Sequence, residues 1–499
     1  IQSEIKKLVY NRKQVQELLK RVTQGAESLL LFTQNVRHIS IYHLPNDVTE
    51  PLQPRKIFEV TKSLSQDGVR RELPDKITLP TTAMKLSTED QFLLKQCNFL
   101  RASSEVSKLS RGYSESAPAL LSSALTLKIK STVSEYGSSF MECSVSSNDE
   151  IWLVVSSMGK GAAMQFAKKD SSLLASAGVG VQISTKDSLT PVPICDETKG
   201  SKANGNVFCY LPLPICSGLP VHINGTFAVS SNRRNLLVKT EDDKANFGQE
   251  WNEVLLKDCV CSAYLDLLED LKSFSQALNN AYQYHTLWPK CDEVMSTCEP
   301  LARLFYEYLL NGNKAVFSDG KSWLAINETV FLTPDLREDS QIGDVCFEVF
   351  KLLVEGNGAV IDLPRNVFES FKKYGLAEKI HSRSYDTSRF FLELFFLNIG
   401  LVPPDLRDNL VLYALDSQRE ELNNAMKVYA CISVSPDRHN LKCPSQLIDP
   451  RRSAALLFSP EDQRFPVEAF RQPFHLHQLE QLGMLTDDLP WSDVVERAE

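Results

Sequence analysis

The sequence has neither a long run of apolar residues nor a long block of charge of one sign. Its most apolar short stretches are residues 29–32 and 151–155, whereas a helix needs about 20 consecutive apolar residues to span a bilayer. The net charge of -9 is spread along the chain, so no basic surface that displaces counterions from nucleic acid is indicated. The sequence therefore predicts no membrane span and no nucleic-acid partner.

Paired cysteine motifs are also missing, although the chain contains 12 cysteines. None stands in a C-x-x-C pair, and the intervals from Cys259 to Cys261 and from Cys291 to Cys298 do not match the ligand spacing of a zinc site. Many lie inside apolar runs, as reduced and buried thiols do. We therefore predict no metal in this chain and a cytoplasmic location.

Complete catalytic and nucleotide-binding motifs are missing as well. The glycine clusters 159–161 and 178–180 complete neither the P-loop nor the dinucleotide fingerprint, so turns beside strands are the favoured interpretation. Ser217 lacks a His and an Asp in the order that a serine hydrolase needs. His475 and His477 diverge on a helix, so a surface or capping role is expected. We predict no enzyme active site and no cofactor site in this chain.

The composition and periodicity are those of a folded α/β protein. Of the 499 residues, 43% are hydrophobic and 23% are charged, which is ordinary for a soluble protein of several domains. Alternating or continuous apolar residues predict strands at 36–42, 56–62, 125–130, 151–155, 179–183, 207–211, 221–229, 315–332 and 359–363. Helical periodicity predicts helices at 1–23, 88–109, 161–168, 246–284, 298–310, 345–354, 388–397 and 472–482. The predicted fold class is α/β (α+β), multi-domain, with mixed sheets and flanking helices.

The ends of the chain resemble internal boundaries. The sequence opens Ile1-Gln2-Ser3-Glu4, with no initiator methionine and no signal peptide. Residues 491–499 read as the first turns of another helix. We expect an internal segment of a longer protein.

Three segments resemble the repeat regions of the sacsin family of giant, chaperone-like proteins. The first is NVFCYLPLPICSGLPVHINGTFAVSSNRRNLL at 206–237, in which two strands flank a proline-rich connector and a polar loop with adjacent arginines follows. The others are LLLFTQNVRHISIYHL at 29–44 and SQLIDPRRSAALLFSPEDQRFP at 445–466. The resemblance extends over nearly the whole chain.

The resemblance implies that each repeat begins with an ATPase domain of the GHKL chaperone class. The motifs of that domain, including Asp-x-Gly-x-Gly and a glycine lid, are not found here, so we expect the chain to start just after it. The implied organisation is a helix-rich α/β start of the repeat's middle region at 1–115 and a mixed-sheet, transducer-like domain at 116–245. A long connecting helix at 246–290 and a sacsin-specific α/β domain at 291–499 follow.

The resemblance also suggests a role for Arg233 and Arg234. In the related chaperones the middle domain carries a loop whose arginine reaches the terminal phosphate of ATP, and the order of elements at 207–237 is similar. A guanidinium stays charged and can fork onto phosphate oxygens. We take Arg233 and Arg234 as candidate phosphate-sensing residues. The alternative is that one pairs with a carboxylate and the other is solvated.

Two functional hypotheses follow from the resemblance. The first is a non-catalytic transducer or protein-interaction scaffold of a chaperone or co-chaperone that assists folding and regulates the seventy-kilodalton heat-shock chaperones. Its partners are those chaperones, client proteins and the neighbouring ATPase domain. The second is part of a split ATPase, in which this segment supplies an arginine to ATP bound elsewhere. ATP and magnesium are then expected only in the full repeat.

Overall fold

The computed structural model consists of two compact units, residues 1–311 and 312–499. The residues that it describes are 17, 25–33, 36–43, 54–65, 70–71, 122–136, 143–159, 161–170, 173–184, 190–196, 202–237, 246–276, 283–311, 314–354, 358–491 and 494–495. The predicted helix at 88–109, and that at 1–23 except for Glu17, lie outside these residues. The predicted division into four domains stays a prediction.

The first unit is built on a large mixed sheet. Its strands are β1 (His38–His43), β2 (Arg55–Leu64), β3 (Arg70–Arg71), β4 (Ser122–Tyr136), β5 (Cys143–Met158), β6 (Ser176–Ser184), β7 (Thr190–Val192), β10 (Asn206–Cys209), β11 (Leu211–Cys216) and β12 (His222–Gly225). A separate pair is formed by β8 (Cys195–Asp196) and β9 (Lys202–Ala203). The main order is β1-β2-β4-β5-β6-β12-β10-β11, with β3 beside β4 and β7 beside β6. The pairings are antiparallel except for β10 with β12, so the predicted mixed sheet is confirmed.

The central strands of this sheet are buried on both faces. On one face Leu125, Leu127, Trp152 and Val154 pack with Phe32 and its apolar neighbours. The residues of β5 that point the other way, Leu153 and Val155, are also fully buried. Burial on both faces explains why the segment 151–155 is continuously apolar instead of alternating.

The helical segment after Asn246 covers the second face of the sheet. The helices of the first unit are α1 (Ala26–Leu29), α2 (Ala162–Lys169), α3 (Phe247–Leu255), α4 (Cys261–Gln276) and α5 (Glu299–Asn311). A π-helical segment, Leu256–Val260, joins α3 to α4, and α4 packs against β5 and β6. The predicted helix at 246–284 is thus helical to Gln276, and a 3-10 turn at Tyr284–Leu287 follows further along.

The second unit has a three-stranded parallel sheet, two separate two-stranded hairpins and surrounding helices. Its strands are β13 (Phe317–Ser318), β14 (Trp323–Leu324), β15 (Thr329–Leu332), β16 (Ala359–Ile361), β17 (Ser384–Tyr385), β18 (Ile432–Ser433) and β19 (Leu441–Lys442). Its helices are α6 (Pro334–Arg337), α7 (Gly343–Val354), α8 (Arg365–Lys373), α9 (Ala377–His381), α10 (Thr387–Arg389), α11 (Pro404–Ser417), α12 (Glu420–Val428) and α13 (Pro473–Gln481). β15 pairs in parallel with β16 and β17, as expected for a second α/β unit.

Two predicted elements of this unit differ from the structure. The segment 315–332 is not one extended element, because β13 and β14 form a hairpin and a 3-10 turn at Ile326–Glu328 precedes β15. The predicted helix at 388–397 begins in α10, becomes π-helical at Phe390–Phe395 and is 3-10 from Phe396. Its four phenylalanines all enter the core, and the altered helical winding accompanies that burial.

Candidate functional site: the arginine hairpin

Arg233 and Arg234 lie at the tip of a short hairpin, residues 228–237, which we call the arginine hairpin. It follows β12, and an isolated antiparallel bridge joins Val229 to Leu236. The Ser230 N–H donates to the Asn235 carbonyl at 2.9 Å, and the Arg233 N–H donates to the Ser230 carbonyl at 2.8 Å. The two arginines are therefore carried on a closed turn.

Side chains of the turn fix its shape. The Arg234 N–H donates to Asn232 Oδ1 at 3.0 Å, and the Ser230 hydroxyl donates to the same oxygen at 2.8 Å. The Asn235 N–H donates in turn to Ser230 Oγ at 3.1 Å. Arg233 has a φ of 56°, in the left-handed region that costs a residue with a side chain about 1 kcal/mol. These hydrogen bonds hold a backbone conformation that an isolated chain would populate poorly.

The base of the hairpin is held by Asn252 of α3. Asn252 Oδ1 accepts the Ala228 N–H at 2.7 Å, and Asn252 Nδ2 donates to the carbonyls of Ala228 and Leu237 at 2.7 and 3.0 Å. Asn252 is only 3% exposed. Its neighbour Trp251, which is fully buried, donates its indole N–H to the Thr226 carbonyl at 2.7 Å. Helix α3 therefore fixes both ends of the hairpin.

Both arginine side chains are exposed. Among the residues that the structure describes, neither guanidinium has a hydrogen-bond or ion-pair partner. An arginine pair that is free of carboxylates on a fixed turn can accept an anion from outside this part of the chain. Contact of either arginine with nucleotide stays a prediction.

The glycine cluster at 159–161 lies at the N-terminus of α2, a position that can bind a phosphate. Here the protein's own carboxylate occupies it, because Asp258 Oδ2 accepts the N–H groups of Gly161 and Ala163 at 3.0 and 3.1 Å. A Cβ on Gly159 would lie 2.8 Å from Cys259 Sγ. Gly159 therefore lets the turn after β5 approach the π-helical segment Leu256–Val260 closely.

The other cluster lies within a strand. Gly178 and Gly180 belong to β6, where they face Phe32 and Leu31. A Cβ on Gly178 would lie 3.3 Å from the Phe32 ring, and one on Gly180 would lie 3.1 Å from Leu31 Cδ2. Both glycines therefore make room for the segment 29–33 on the sheet.

Ser217 has a structural environment. It is fully buried, its hydroxyl donates to the Gly205 carbonyl at 2.8 Å, and its oxygen accepts the Leu219 N–H at 3.1 Å. These hydrogen bonds stabilise the turn that precedes β12. A hydroxyl held in this way is not presented to a substrate.

His475 and His477 diverge on α13. Of the surface or capping role predicted for them, the surface alternative is wrong for His475. That imidazole is 7% exposed, and its Nε2 lies 3.0 Å from Asp416 Oδ1. His477 is exposed and lies near Glu480. Within the described residues no group of three or more His, Cys, Asp or Glu side chains could hold a metal ion.

Asn252 and Asp258 were not found by sequence reasoning. The sequence did contain a signal for Asn252. It lies seven residues, or about two helical turns, before Cys259 and therefore on the same buried face of the long helix. A polar residue on a buried face needs hydrogen-bond partners. The partners could not be identified from the sequence, since no local pattern indicates that Ala228 and Leu237 lie beside the helix.

The described helices were assessed for membrane spans, and the whole sequence was compared with known families and solved structures. Among the described helices none is long and apolar enough to cross a bilayer. No protein-family model matches the chain, and no solved structure matches it.

A curated relative aligns with almost all of the chain. Human sacsin is 29% identical over 544 aligned residues, which cover 99% of this chain. The chain spans 11% of the length of that relative. The predicted resemblance to sacsin is therefore confirmed along almost all of the chain.

Proposed function

We propose that this chain is a non-catalytic segment of a sacsin-like chaperone or co-chaperone, acting as a transducer or protein-interaction scaffold. The similarity to sacsin over 99% of the chain supports this assignment. In the whole protein the segment would assist the folding of client proteins in the cytoplasm, with the seventy-kilodalton heat-shock chaperones as partners. It would do so by relaying the nucleotide state of a neighbouring ATPase domain.

One observation favours a more specific version, in which the segment completes a split ATPase. The arginine hairpin presents Arg233 and Arg234 to solvent, and their guanidinium groups have no carboxylate partner in the described part of the chain. Exposed guanidinium groups without an internal carboxylate keep their N–H donors available for an anion that another domain presents. We therefore propose that one of them contacts the terminal phosphate of ATP held by the neighbouring domain.

The geometry suits stabilisation of a transition state. Charge develops on the phosphoryl oxygens as the terminal phosphate is transferred, and a guanidinium placed there beforehand reorganises little. The turn hydrogen bonds and the Asn252 contacts supply that fixed placement. Arginines that act in this way contribute about 10³-fold or more to the rate in nucleotide hydrolases.

The test is ATP hydrolysis by the longer parent protein that includes the ATPase domain. We expect Arg233→Ala or Arg234→Ala to lower kcat by about 10²-fold or more while leaving the KM for ATP nearly unchanged. Arg→Lys at the effective position should restore little, because a lysine cannot form the two-pronged contact. Lys202→Ala, which removes another exposed cation of the same unit, is the matched control.

Two outcomes would contradict the proposal at different levels. If neither arginine variant, nor both together, lowers kcat beyond the Lys202→Ala control, the split-ATPase version is wrong and the scaffold version remains. If the 499-residue chain alone binds ATP with magnesium in calorimetry at micromolar affinity, the chain has a nucleotide site of its own and the non-catalytic assignment is wrong.

A further inference from the structure

One buried side chain connects the long helix to the arginine hairpin. We infer that Asn252 is a positioning residue, which sets the orientation of Arg233 and Arg234 and so controls the rate of phosphoryl transfer. This inference rests on the proposed split-ATPase function and adds to it the residue on which the arginines depend. Asn252 is itself buried, so we assign it no direct contact with the phosphate.

The carboxamide of Asn252 uses both of its N–H donors and its oxygen on the hairpin base. Its two N–H groups donate to Ala228 on one strand and to Leu237 on the other, and its oxygen accepts from Ala228. The Leu237 N–H also donates to the Ala228 carbonyl at 3.0 Å. The planar amide therefore fixes the separation of the two strands, and buried hydrogen bonds of this kind are costly to leave unmade.

Close packing strengthens the same connection. A Cβ placed on Gly248, one turn before Asn252, would lie 3.0 Å from Leu237 Cδ1 and 3.1 Å from Ala228 Cβ. The start of α3 is thus in van der Waals contact with both strands of the hairpin base. A shift of this helix would move the hairpin with it.

The helix is in turn attached to the sheet. Trp251 bonds to the Thr226 carbonyl just after β12, and Asp258 in the π-helical segment caps α2. The position of the arginine hairpin is therefore defined relative to the sheet and does not depend on the turn alone. Without the Asn252 amide the base can splay, and a displacement of about 1 Å at a catalytic group can cost about 10²-fold in rate.

Asn252→Asp tests this role with almost no change in shape. The carboxylate keeps an acceptor for the Ala228 N–H but turns an oxygen toward the carbonyls of Ala228 and Leu237, where a donor stood. Gly248→Ala is a second variant, since its methyl group separates helix and hairpin without removing a polar group. Glu253→Gln, at a half-exposed neighbour that pairs with Lys257, is the control.

Two measurements are needed on these variants. In the 499-residue chain we expect hydrogen exchange of the amides of 228–237 to quicken by about tenfold or more in Asn252→Asp and to stay unchanged in Glu253→Gln. In the longer parent protein we expect kcat for ATP to fall by about tenfold or more with little change in KM. In a protein that already lacks both arginines, Asn252→Asp should lower kcat no further.

The outcomes separate this inference from the proposed function. Two results would overturn the role of Asn252 and leave the arginine proposal intact. One is unchanged hydrogen exchange at the hairpin in Asn252→Asp. The other is faster exchange in Asn252→Asp with an unaltered kcat, while the arginine variants have a lowered kcat. An equal loss of kcat in the protein without the arginines shows that Asn252 acts by another route and also overturns the inference. If the arginine variants themselves hydrolyse ATP normally, the proposed split ATPase fails and the positioning role fails with it.

Discussion

Asp258 caps a helix to which it does not belong, because its Oδ2 accepts the backbone N–H of Ala163 in α2 at 3.1 Å. The carboxylate also accepts the Gly161 N–H and lies at the positive end of the α2 dipole. It thereby joins the π-helical segment of the long helix to the turn after β5.

We expect Asp258→Ala to lower the free energy of unfolding of the first unit by about 1 to 2 kcal/mol, because two N–H groups lose their acceptor. Asp258→Asn should cost less, since it retains an acceptor oxygen and loses only the charge. The measurement is urea denaturation followed by tryptophan fluorescence. Glu253→Ala, on the same helix but in an exposed pair, is the control. An equal loss in the control variant would contradict the capping role.

His222 should make the first unit sensitive to mild acid. Burial lowers the pKa of His222 to about 4, and the ring stacks on Trp152 while its Nδ1 accepts the Asn206 N–H at 2.9 Å. The folded state therefore holds the neutral form, and the unfolded chain binds the proton more readily. Stability should be unaffected above about pH 6.5 and should decline as the pH falls toward 4.

At pH 5.5 the expected loss is on the order of 1 kcal/mol relative to pH 7.5. The measurement is the urea midpoint at both pH values for the unsubstituted chain and for His222→Gln, whose amide cannot titrate. The difference between the two pH values should shrink in the variant. An identical pH dependence in both proteins would show that another group is responsible.

Gly218 and Gly375 form a matched pair for testing steric contact. Both have positive φ, 70° and 76°, so alanine at either position costs about 1 kcal/mol of backbone strain. A Cβ on Gly218 would lie 2.0 Å from the Glu293 carbonyl oxygen, whereas nothing lies within 4 Å of one on Gly375. Gly218→Ala must therefore move the backbone and should cost about 2 kcal/mol more than Gly375→Ala. Equal losses in thermal denaturation would mean that the turn before β12 does not approach Glu293 so closely.

Arg451 should stabilise the second unit much more than Arg365, although each contacts two carboxylates. Arg451 binds Asp449, which is fully buried, and Glu480, whereas Arg365 binds Asp335 and Glu338 at the surface. Removing Arg451 leaves a buried charge with weaker compensation from Arg452. We expect Arg451→Ala to cost about 3 kcal/mol and Arg365→Ala about 0.5 kcal/mol or less in the unfolding of this unit.

The pKa of Asp449 predicts how the stabilisation by Arg451 depends on pH. Burial by itself raises the pKa of Asp449, but its hydrogen bonds from Arg451 outweigh that effect and hold the pKa at about 2. The stabilisation is therefore present above about pH 4 and is lost as the pH falls toward 2. In Arg451→Ala this acid-dependent loss should be smaller. A loss as steep as in the unsubstituted chain would assign it to other groups.

Much of the fold follows from patterns that neighbouring residues define. The alternation at 56–62, the apolar run at 151–155 and the helical periodicity at 161–168 each predict an element that the structure contains as β2, β5 and α2. Such patterns report which side chains seek a core, and they need no knowledge of the partner strand. The segment 206–237 also identified the sacsin-like character of the chain, which the comparison with human sacsin confirms.

The sequence by itself determined the α/β class, most of the element types and the adjacent arginines. The proline-rich connector that it predicted between two strands is wrong in part, because Leu211–Cys216 forms strand β11. The tertiary structure alone decided that Asp258 fills the helix terminus beside Gly159, that His475 is buried against Asp416, and that Asn252 holds the base of the arginine hairpin. The reason is physical. Periodicity records burial, whereas a hydrogen-bond partner depends on how distant parts of the chain are brought together by the packing of the whole core.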